Sequence, residues 1–155
     1  MSARPSHTSH AAPATDWFEP GLSFQCTQCG NCCTGPSGYV WYTETEARDI
    51  AEHLGITVGE FRKRYARKKH GRWTLDEVKR DGQYDCIFLQ WNDDGTAGCS
   101  IYPVRPQQCR TWPFWPENLS SEQAWHDAAV TCPGMRRSDG DFVPADQVRI
   151  IRDSH

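Results

Sequence analysis

Long apolar runs are missing from this sequence of 155 residues. Hydrophobic residues make up 37% of the chain, and its mean hydropathy is -0.73. No stretch approaches the roughly 18 consecutive apolar residues of a membrane span. Residues 1–16 also lack the apolar segment that a secretory signal peptide needs. We therefore expect a cytoplasmic protein that does not enter a membrane.

The motifs of self-contained catalysis are missing as well. The sequence has no phosphate-binding glycine loop, no GxGxxG pattern and no zinc-protease motif. It also has no evident set of a nucleophile, a base and an orienting residue. Enzyme activity therefore stays open, and an iron–sulfur oxidoreductase is the enzyme class that the cysteines described below would allow.

A strong charge of either sign is absent, because the formal net charge is only -3. Nucleic acid is consequently not an expected partner. The segment from Arg62 to Arg72 is a local exception, since it contains seven of the 17 Lys and Arg residues and no carboxylate. It carries no nucleic-acid motif, so we interpret it as a solvated helix face, with a basic patch for a partner as the alternative.

Cysteine, in contrast, is plentiful. Eight cysteines are about 5% of the chain, which is below the density of small secreted disulfide scaffolds. Four of them fall within eight residues, in the run Cys26-Thr27-Gln28-Cys29-Gly30-Asn31-Cys32-Cys33. Cysteines at CxxC spacing can turn their sulfurs toward one point, and Gly30 suits a turn that needs positive φ. In a cytosolic chain this pattern favours metal binding over disulfides.

The cysteine run also matches one particular kind of centre. Three thiols at CxxCxxC spacing, completed by a distant cysteine followed by proline, are typical of bacterial iron–sulfur proteins. Cys132-Pro133 fits that distant position. The spacing is equally that of a zinc knuckle, so both an iron–sulfur cluster and zinc remain as cofactors.

Two helices are predicted after the cysteine run. Thr43 with Glu46 and Thr57 with Glu60 form capping boxes, and an apolar stripe at helical spacing follows each of them. Gly55 ends the first helix. These patterns predict a helical hairpin that serves as a scaffold.

Short strands are predicted after the hairpin. A turn at Asn92-Asp93-Asp94-Gly95 separates two of them, which places Cys86 and Cys99 opposite each other on neighbouring strands. Pro106 is placed to begin a short helix that carries Cys109. The predicted strands cover residues 72–75, 84–91 and 99–102, and the later helices cover residues 121–131 and 144–152.

Together these elements predict an α+β fold. We expect a disordered tail at residues 1–15, followed by one small domain at residues 16–155. Its helical hairpin, short antiparallel strands and irregular loops would be held together by cysteine-ligated metal.

The cysteines also have characteristic neighbours. The pattern consists of Cys26-x2-Cys29-Gly30-x-Cys32-Cys33, Cys86, Cys99-x-Ile101-Tyr102-x2-Arg105-Pro106-x2-Cys109-Arg110, Pro113-Phe114 and Cys132-Pro133. It resembles the YkgJ-like cysteine-cluster family, a CxxCxxCC zinc- or iron-chelating domain, over about residues 24–134. The resemblance implies metal chelation, and a similar domain occurs in flagellin lysine methylases.

The resemblance further implies that all eight cysteines take part in metal binding, namely Cys26, Cys29, Cys32, Cys33, Cys86, Cys99, Cys109 and Cys132. Eight sulfurs allow two four-sulfur sites, one larger site, or one site with spare thiols. We expect two sites. The first would use Cys26, Cys29, Cys32 and Cys132, and the second would use Cys33, Cys86, Cys99 and Cys109.

Other side chains are expected to tune the metal centre. Arg105 and Arg110 are candidate cofactor-binding residues that could donate hydrogen bonds to thiolates or offset the charge of a cluster. Aromatic residues near the thiols would form a dry shell, with ordinary core packing as the alternative. They are Phe24, Phe88, Trp91, Trp112 and Phe114.

Three function classes follow. The first is a metal or iron–sulfur protein acting in electron transfer, metal handling or maturation of another protein. The second is a cluster-dependent redox enzyme or methyltransferase partner. The third is a zinc-stapled protein-interaction module without redox chemistry. Metal ions and a protein are the expected partners.

Overall fold

The computed structural model describes residues 15–154, which form six α-helices and nine short strands. The α-helices are α1 Glu44–Leu54, α2 Val58–Tyr65, α3 Gln107–Arg110, α4 Pro116–Leu119, α5 Glu122–Thr131 and α6 Ala145–Arg152. The strands are β1 Leu22–Phe24, β2 Thr34–Gly35, β3 Ala66–Lys69, β4 Arg72–Leu75, β5 Glu77–Arg80, β6 Gln83–Cys86, β7 Leu89–Trp91, β8 Ala97–Cys99 and β9 Asp141–Val143. The predicted mixed α+β class is confirmed. The predicted tail lies outside the described residues, apart from Thr15.

The predicted helical hairpin is confirmed. Both capping boxes are present, because the side chains of Thr43 and Thr57 accept hydrogen bonds from the backbone amides three residues ahead. Gly55 adopts the left-handed conformation, with φ of 67°, at the end of α1. The buried face of α1 packs with α2 in one of the two cores of the protein.

The interpretation of residues 62–72 as a helix face is wrong beyond Tyr65, where α2 ends. The chain continues as β3, turns at His70-Gly71 and returns as β4 in an antiparallel hairpin. Both turn residues have positive φ, 47° and 76°, which is the conformation of a tight two-residue hairpin turn. Much of the basic segment therefore lies on a β-hairpin.

The single strand predicted at residues 84–91 is also wrong. The chain turns after Cys86 and forms two strands, of which β6 pairs with β5 and β7 pairs with β8. Cys86 lies opposite Glu77, and Cys99 lies opposite Leu89, so the two cysteines are not cross-strand neighbours. The predicted turn at residues 92–95 is confirmed as the connection between β7 and β8.

The buried apolar residues form two separate cores. The first joins the N-terminal segment to the last helices, and Phe18, Trp125 and Val148 lie within it. The second joins the helical hairpin to the strands, and Ile50 and Phe61 lie within it. Cys132 belongs to the first core, whereas Cys86 and Cys99 pack against the second.

Within residues 15–154, no helix is long and apolar enough to cross a membrane.

Candidate metal centre

The cysteine run folds as a tight turn. Gly30 has φ of 76° and precedes a single 3-10 turn, Asn31–Cys33, which leads into β2. The side-chain amide of Asn31 donates a hydrogen bond of 2.7 Å to the carbonyl of Thr131, the residue before Cys132. The distant cysteine is thereby held beside the run, and the positive φ predicted for Gly30 is confirmed.

The remaining cysteines come from different elements. Cys86 ends β6, Cys99 ends β8, Cys109 lies in α3, and Cys132 follows α5. Thiols that are far apart in the chain are therefore carried by the ends of short strands and by short helical segments. None of the eight cysteines forms a disulfide.

All eight cysteines line one cavity, which encloses about 950 Å³ including its open mouth. Most of the other lining residues are apolar, and they include Phe24, Leu75 and Trp112. Arg105 is the single charged residue among the described residues that line it, which include no His, Asp or Glu. The cysteine thiols are therefore the main candidate ligands of the cavity.

Backbone amides point at three of the thiols. The amide of Gln28 donates to the sulfur of Cys26 over 3.4 Å. The amide of Phe88 likewise donates to Cys86, and the amide of Ile101 donates to Cys99. Each donor lies two residues after its cysteine, and hydrogen bonds of this kind favour the thiolate form that binds metal.

The buried thiols hold their protons tightly. Burial raises the pKa of Cys86 to about 11, and it raises the pKa of Cys109 and Cys99 as well. The sulfurs of Cys32 and Cys33 are 3.8 Å apart, and their shared hydrogen bond lowers the pKa of Cys32 to about 7 while it raises the pKa of Cys33. The protonated thiols must lose their protons before they can bind a metal.

Five of the eight thiols lie close to one another in the cavity. Cys86, Cys99 and Cys109 are close enough to one another and to Cys32 to raise one another's pKa. Cys33 is affected by Cys86 and Cys109 in the same way. Cys32 therefore interacts with thiols outside the cysteine run, and the division into two four-sulfur sites stays a prediction.

The two candidate arginines are placed differently. Arg105 lines the cavity and stacks on the ring of Tyr102 at 3.6 Å, and its positive charge lowers the pKa of Cys32. Its Nε is buried and has no hydrogen-bond partner among the described residues. Arg110 is not among the lining residues. It donates a hydrogen bond to the carbonyl of Arg105 and lies 3.8 Å from the carboxylate of Glu46.

Two of the five candidate aromatic residues line the cavity, and the other three do not. Phe24 and Trp112 line the cavity, and the indole nitrogen of Trp112 lies 3.5 Å from the sulfur of Cys132. Phe88 and Phe114 lie in the second and the first core, respectively. The indole of Trp91 donates a hydrogen bond to Asp85. The dry shell therefore contains only part of the predicted set.

Asp85 is a positioning residue that the sequence patterns do not indicate. Its buried carboxylate accepts hydrogen bonds from Thr34 over 2.5 Å and from Trp91 over 2.9 Å, and it pairs with Arg80. These contacts tie β2, which follows the cysteine run, to the residue before Cys86. A lone aspartate in an apparent strand is a weak signal, so only the fold identifies it.

The residues of the cavity fit zinc or iron. Thiolates are the ligands that select zinc and iron–sulfur centres, and the surrounding walls limit the access of water. Among residues 15–154, no three His, Cys, Asp or Glu side chains already stand in an arrangement that could hold a metal ion. We therefore expect the cysteine side chains to turn toward the metal as it binds.

The turn at Gly30 provides a test of the cavity wall. A Cβ at Gly30 would lie 2.7 Å from that of Ala97 and 3.1 Å from Leu89, so Gly30→Ala must displace the cysteine run. The left-handed backbone adds about 1–2 kcal/mol of strain. We expect Gly30→Ala to lower both bound metal and resistance to urea. Metal analysis and urea unfolding of the purified variant measure these effects.

Gly71→Ala is the matched control, because Gly71 has the same φ of 76° with open space around it. Gly71→Ala should lose some resistance to urea because of the backbone strain, and it should keep its metal. Equal metal content in the two variants would contradict the placement of the run against β7 and β8.

The fold and the cavity together define a class of protein, namely a small mixed α+β domain whose cysteines line a single cavity suited to metal. The chain belongs to the family described as "CxxCxxCC: Putative zinc- or iron-chelating domain", whose profile matches residues 25–133. The family confirms the expected cofactor class, zinc or iron, and it gives the chain a cysteine-based metal-binding role.

A curated relative supports this assignment. "Uncharacterized protein MJ0661" of Methanocaldococcus jannaschii is 37% identical to the chain over 99 residues. The matched part is 64% of this chain and 49% of the relative, so the match spans about half the length of that protein. No solved structure matches the chain.

Proposed function

We propose that the chain holds a thiolate-ligated iron–sulfur centre and acts in electron transfer, metal handling or maturation of another protein. The observation that carries the proposal is the single cavity lined by all eight cysteines and by no His, Asp or Glu among the described residues. Eight thiols match two four-cysteine sites, and the CxxCxxC spacing with the distant Cys132-Pro133 is typical of iron–sulfur ligation.

The charge of the cavity supports the same centre. Thiolates around a metal cluster carry net negative charge, and Arg105 is the cation that faces them. Its unpartnered Nε could donate a hydrogen bond to a thiolate or to an inorganic sulfide. Arg110 would act from outside the cavity by fixing the backbone of Arg105.

Absorbance spectroscopy tests the proposal most directly. Protein purified without oxygen is expected to be brown, with broad thiolate-to-iron absorption, and to contain iron together with acid-labile sulfide. Metal analysis of the same sample measures zinc in parallel. A colourless protein that keeps stoichiometric zinc after anaerobic reconstitution with iron and sulfide would contradict an iron–sulfur centre.

Zinc is the second candidate, and it would make the protein a stapled interaction module without redox chemistry. The three amide hydrogen bonds to Cys26, Cys86 and Cys99 favour zinc as much as an iron–sulfur centre, since they support thiolates around either metal. A redox enzyme or a methyltransferase partner remains the third function. A cytoplasmic location would suit any of these functions, because eight free thiols persist best in a reducing compartment.

A further inference from the structure

A thin β-layer forms one wall of the cysteine cavity. The layer consists of β3, β4 and the segment 39–41, which pairs with β4 through Trp41 and Thr74. Val40 and Leu75 lie on its inner side, where both line the cavity. Their backbones are joined by a hydrogen bond of 3.0 Å.

The outer side of this layer carries cations and aromatic rings. Side chains alternate along a strand, so the neighbours of the inner residues point outward. The rings of Tyr39 and Trp41 stack at 4.8 Å, the guanidinium of Arg72 lies 4.5 Å from the ring of Trp41, and His70 meets Tyr39 edge-on. Lys69 lies opposite Arg72 in the hairpin. We call these five residues the cationic–aromatic face.

The cations of this face lack direct ion-pair partners among the described residues, although Glu46 and Glu117 line the same groove as Trp41 and Arg72. Within the basic segment, Arg62 pairs with Glu44, and Arg67 pairs with both Asp76 and Glu77. Lys69 and Arg72 form no ion pair with any residue from 15 to 154, and both are exposed. A local surplus of positive charge therefore stands on a protein whose formal net charge is -3.

We propose that the cationic–aromatic face docks an acidic segment of a partner protein that serves the thiol site. Charge complementarity selects the partner, because exposed cations without partners attract an acidic surface and steer its approach. Arginine and the aromatic residues are also the usual anchors of protein interfaces. This inference rests on the proposed function.

Single-stranded nucleic acid fits the face less well. Bases bind to proteins by stacking on free aromatic ring faces. Tyr39 and Trp41 instead cover each other, and Arg72 lies over the ring of Trp41. The face thus offers ring edges and cations, which suit carboxylates and peptide side chains.

The position of the face explains how a partner could serve the metal. A partner docked there would lie at the edge of the thiol site, because Tyr39 of the face lines a groove together with Cys32, Cys33 and Cys86.

A binding measurement with the metal-loaded full chain tests the inference. The probe is a fluorescein-labelled polyglutamate peptide, with polyglutamine as its neutral counterpart, followed by anisotropy at low salt. We expect polyglutamate to bind and polyglutamine not to bind. Bound polyglutamate should also shift the indole NMR signal of Trp41. Arg72→Glu and Lys69→Glu should each weaken its binding about tenfold.

The control is Lys79→Glu, which makes the same change of charge on the separate β5–β6 hairpin and should alter the binding less than about twofold. Equal binding by the parent and Arg72→Glu, or no binding of polyglutamate at all, would overturn the inference. Tighter binding of a single-stranded oligonucleotide that depends on Trp41 would overturn it in favour of nucleic acid. Metal content is measured in every sample, so loss of docking with the metal intact would leave the proposed function standing.

Discussion

Removing the metal is expected to unfold the domain. Binding of a structural metal contributes roughly 10 kcal/mol or more to folding in small cysteine-ligated domains, which equals the whole stability of an ordinary domain. We expect the metal-free chain to lose its cooperative unfolding transition and the strands that carry Cys86 and Cys99.

We expect this unfolding because the protein has two hydrophobic cores instead of one. The first core contains Cys132, whereas Cys86 and Cys99 pack against the second core. The cavity between them is lined by thiols from both sides, so a metal there would join two cores that are each small. Without metal, buried thiols would face one another across an open space.

Circular dichroism and urea unfolding of the protein before and after chelation measure this effect. Readdition of the metal under reducing conditions is the control, and it should restore the transition. An unchanged cooperative melt in the metal-free protein would show that the metal is a functional addition to a domain that is stable by itself.

The helices could be predicted because their signals are local. The capping boxes at Thr43 and Thr57 and the stop at Gly55 each depend on residues within one or two turns of each other. Tertiary packing does not need to be known to interpret them. The structure confirms all three.

The hairpins were harder to predict, although the sequence contains two clear signals. Asp81-Gly82 and His70-Gly71 both adopt the positive φ of tight turns, and Asp-Gly in particular is a strong hairpin signal. The basic residues around His70-Gly71 favour the interpretation as a solvated helix face. The sequence pattern therefore does not predict β3. The pairing of β1 with β9 joins the two ends of the domain, and no local pattern could reveal it.

The candidate site was predictable in its composition and not in its arrangement. Spacing and family resemblance gave the eight cysteines, and the structure brings all of them to one cavity. The spacing does not show which thiols meet, because Cys32 lies within the run and also near Cys86 and Cys109. Arg105 and Arg110 were equivalent in the motif, yet only Arg105 lines the cavity.

Replacing single cysteines should lower the amount of bound metal. Serine lacks the soft thiolate donor that zinc and iron–sulfur centres require. We expect Cys109→Ser to have the larger effect, because Cys109 lies near Cys86, Cys99 and Cys32. Cys29→Ser, in the surface run, should also lose metal. Metal per chain, measured in proteins purified side by side, tests both variants.

Arg110→Ala is the control for the same helical turn. The side chain of Arg110 is half exposed and does not line the cavity, so its removal should leave the metal content nearly unchanged. A shift of the reduction potential with full metal content would fit a tuning role, since its guanidinium holds the carbonyl of Arg105. Loss of metal in Arg110→Ala would make that arginine a structural support.

Full metal occupancy in both cysteine variants would mean that neither Cys29 nor Cys109 is a required ligand. The metal would then have to be held by the remaining thiols of the cavity.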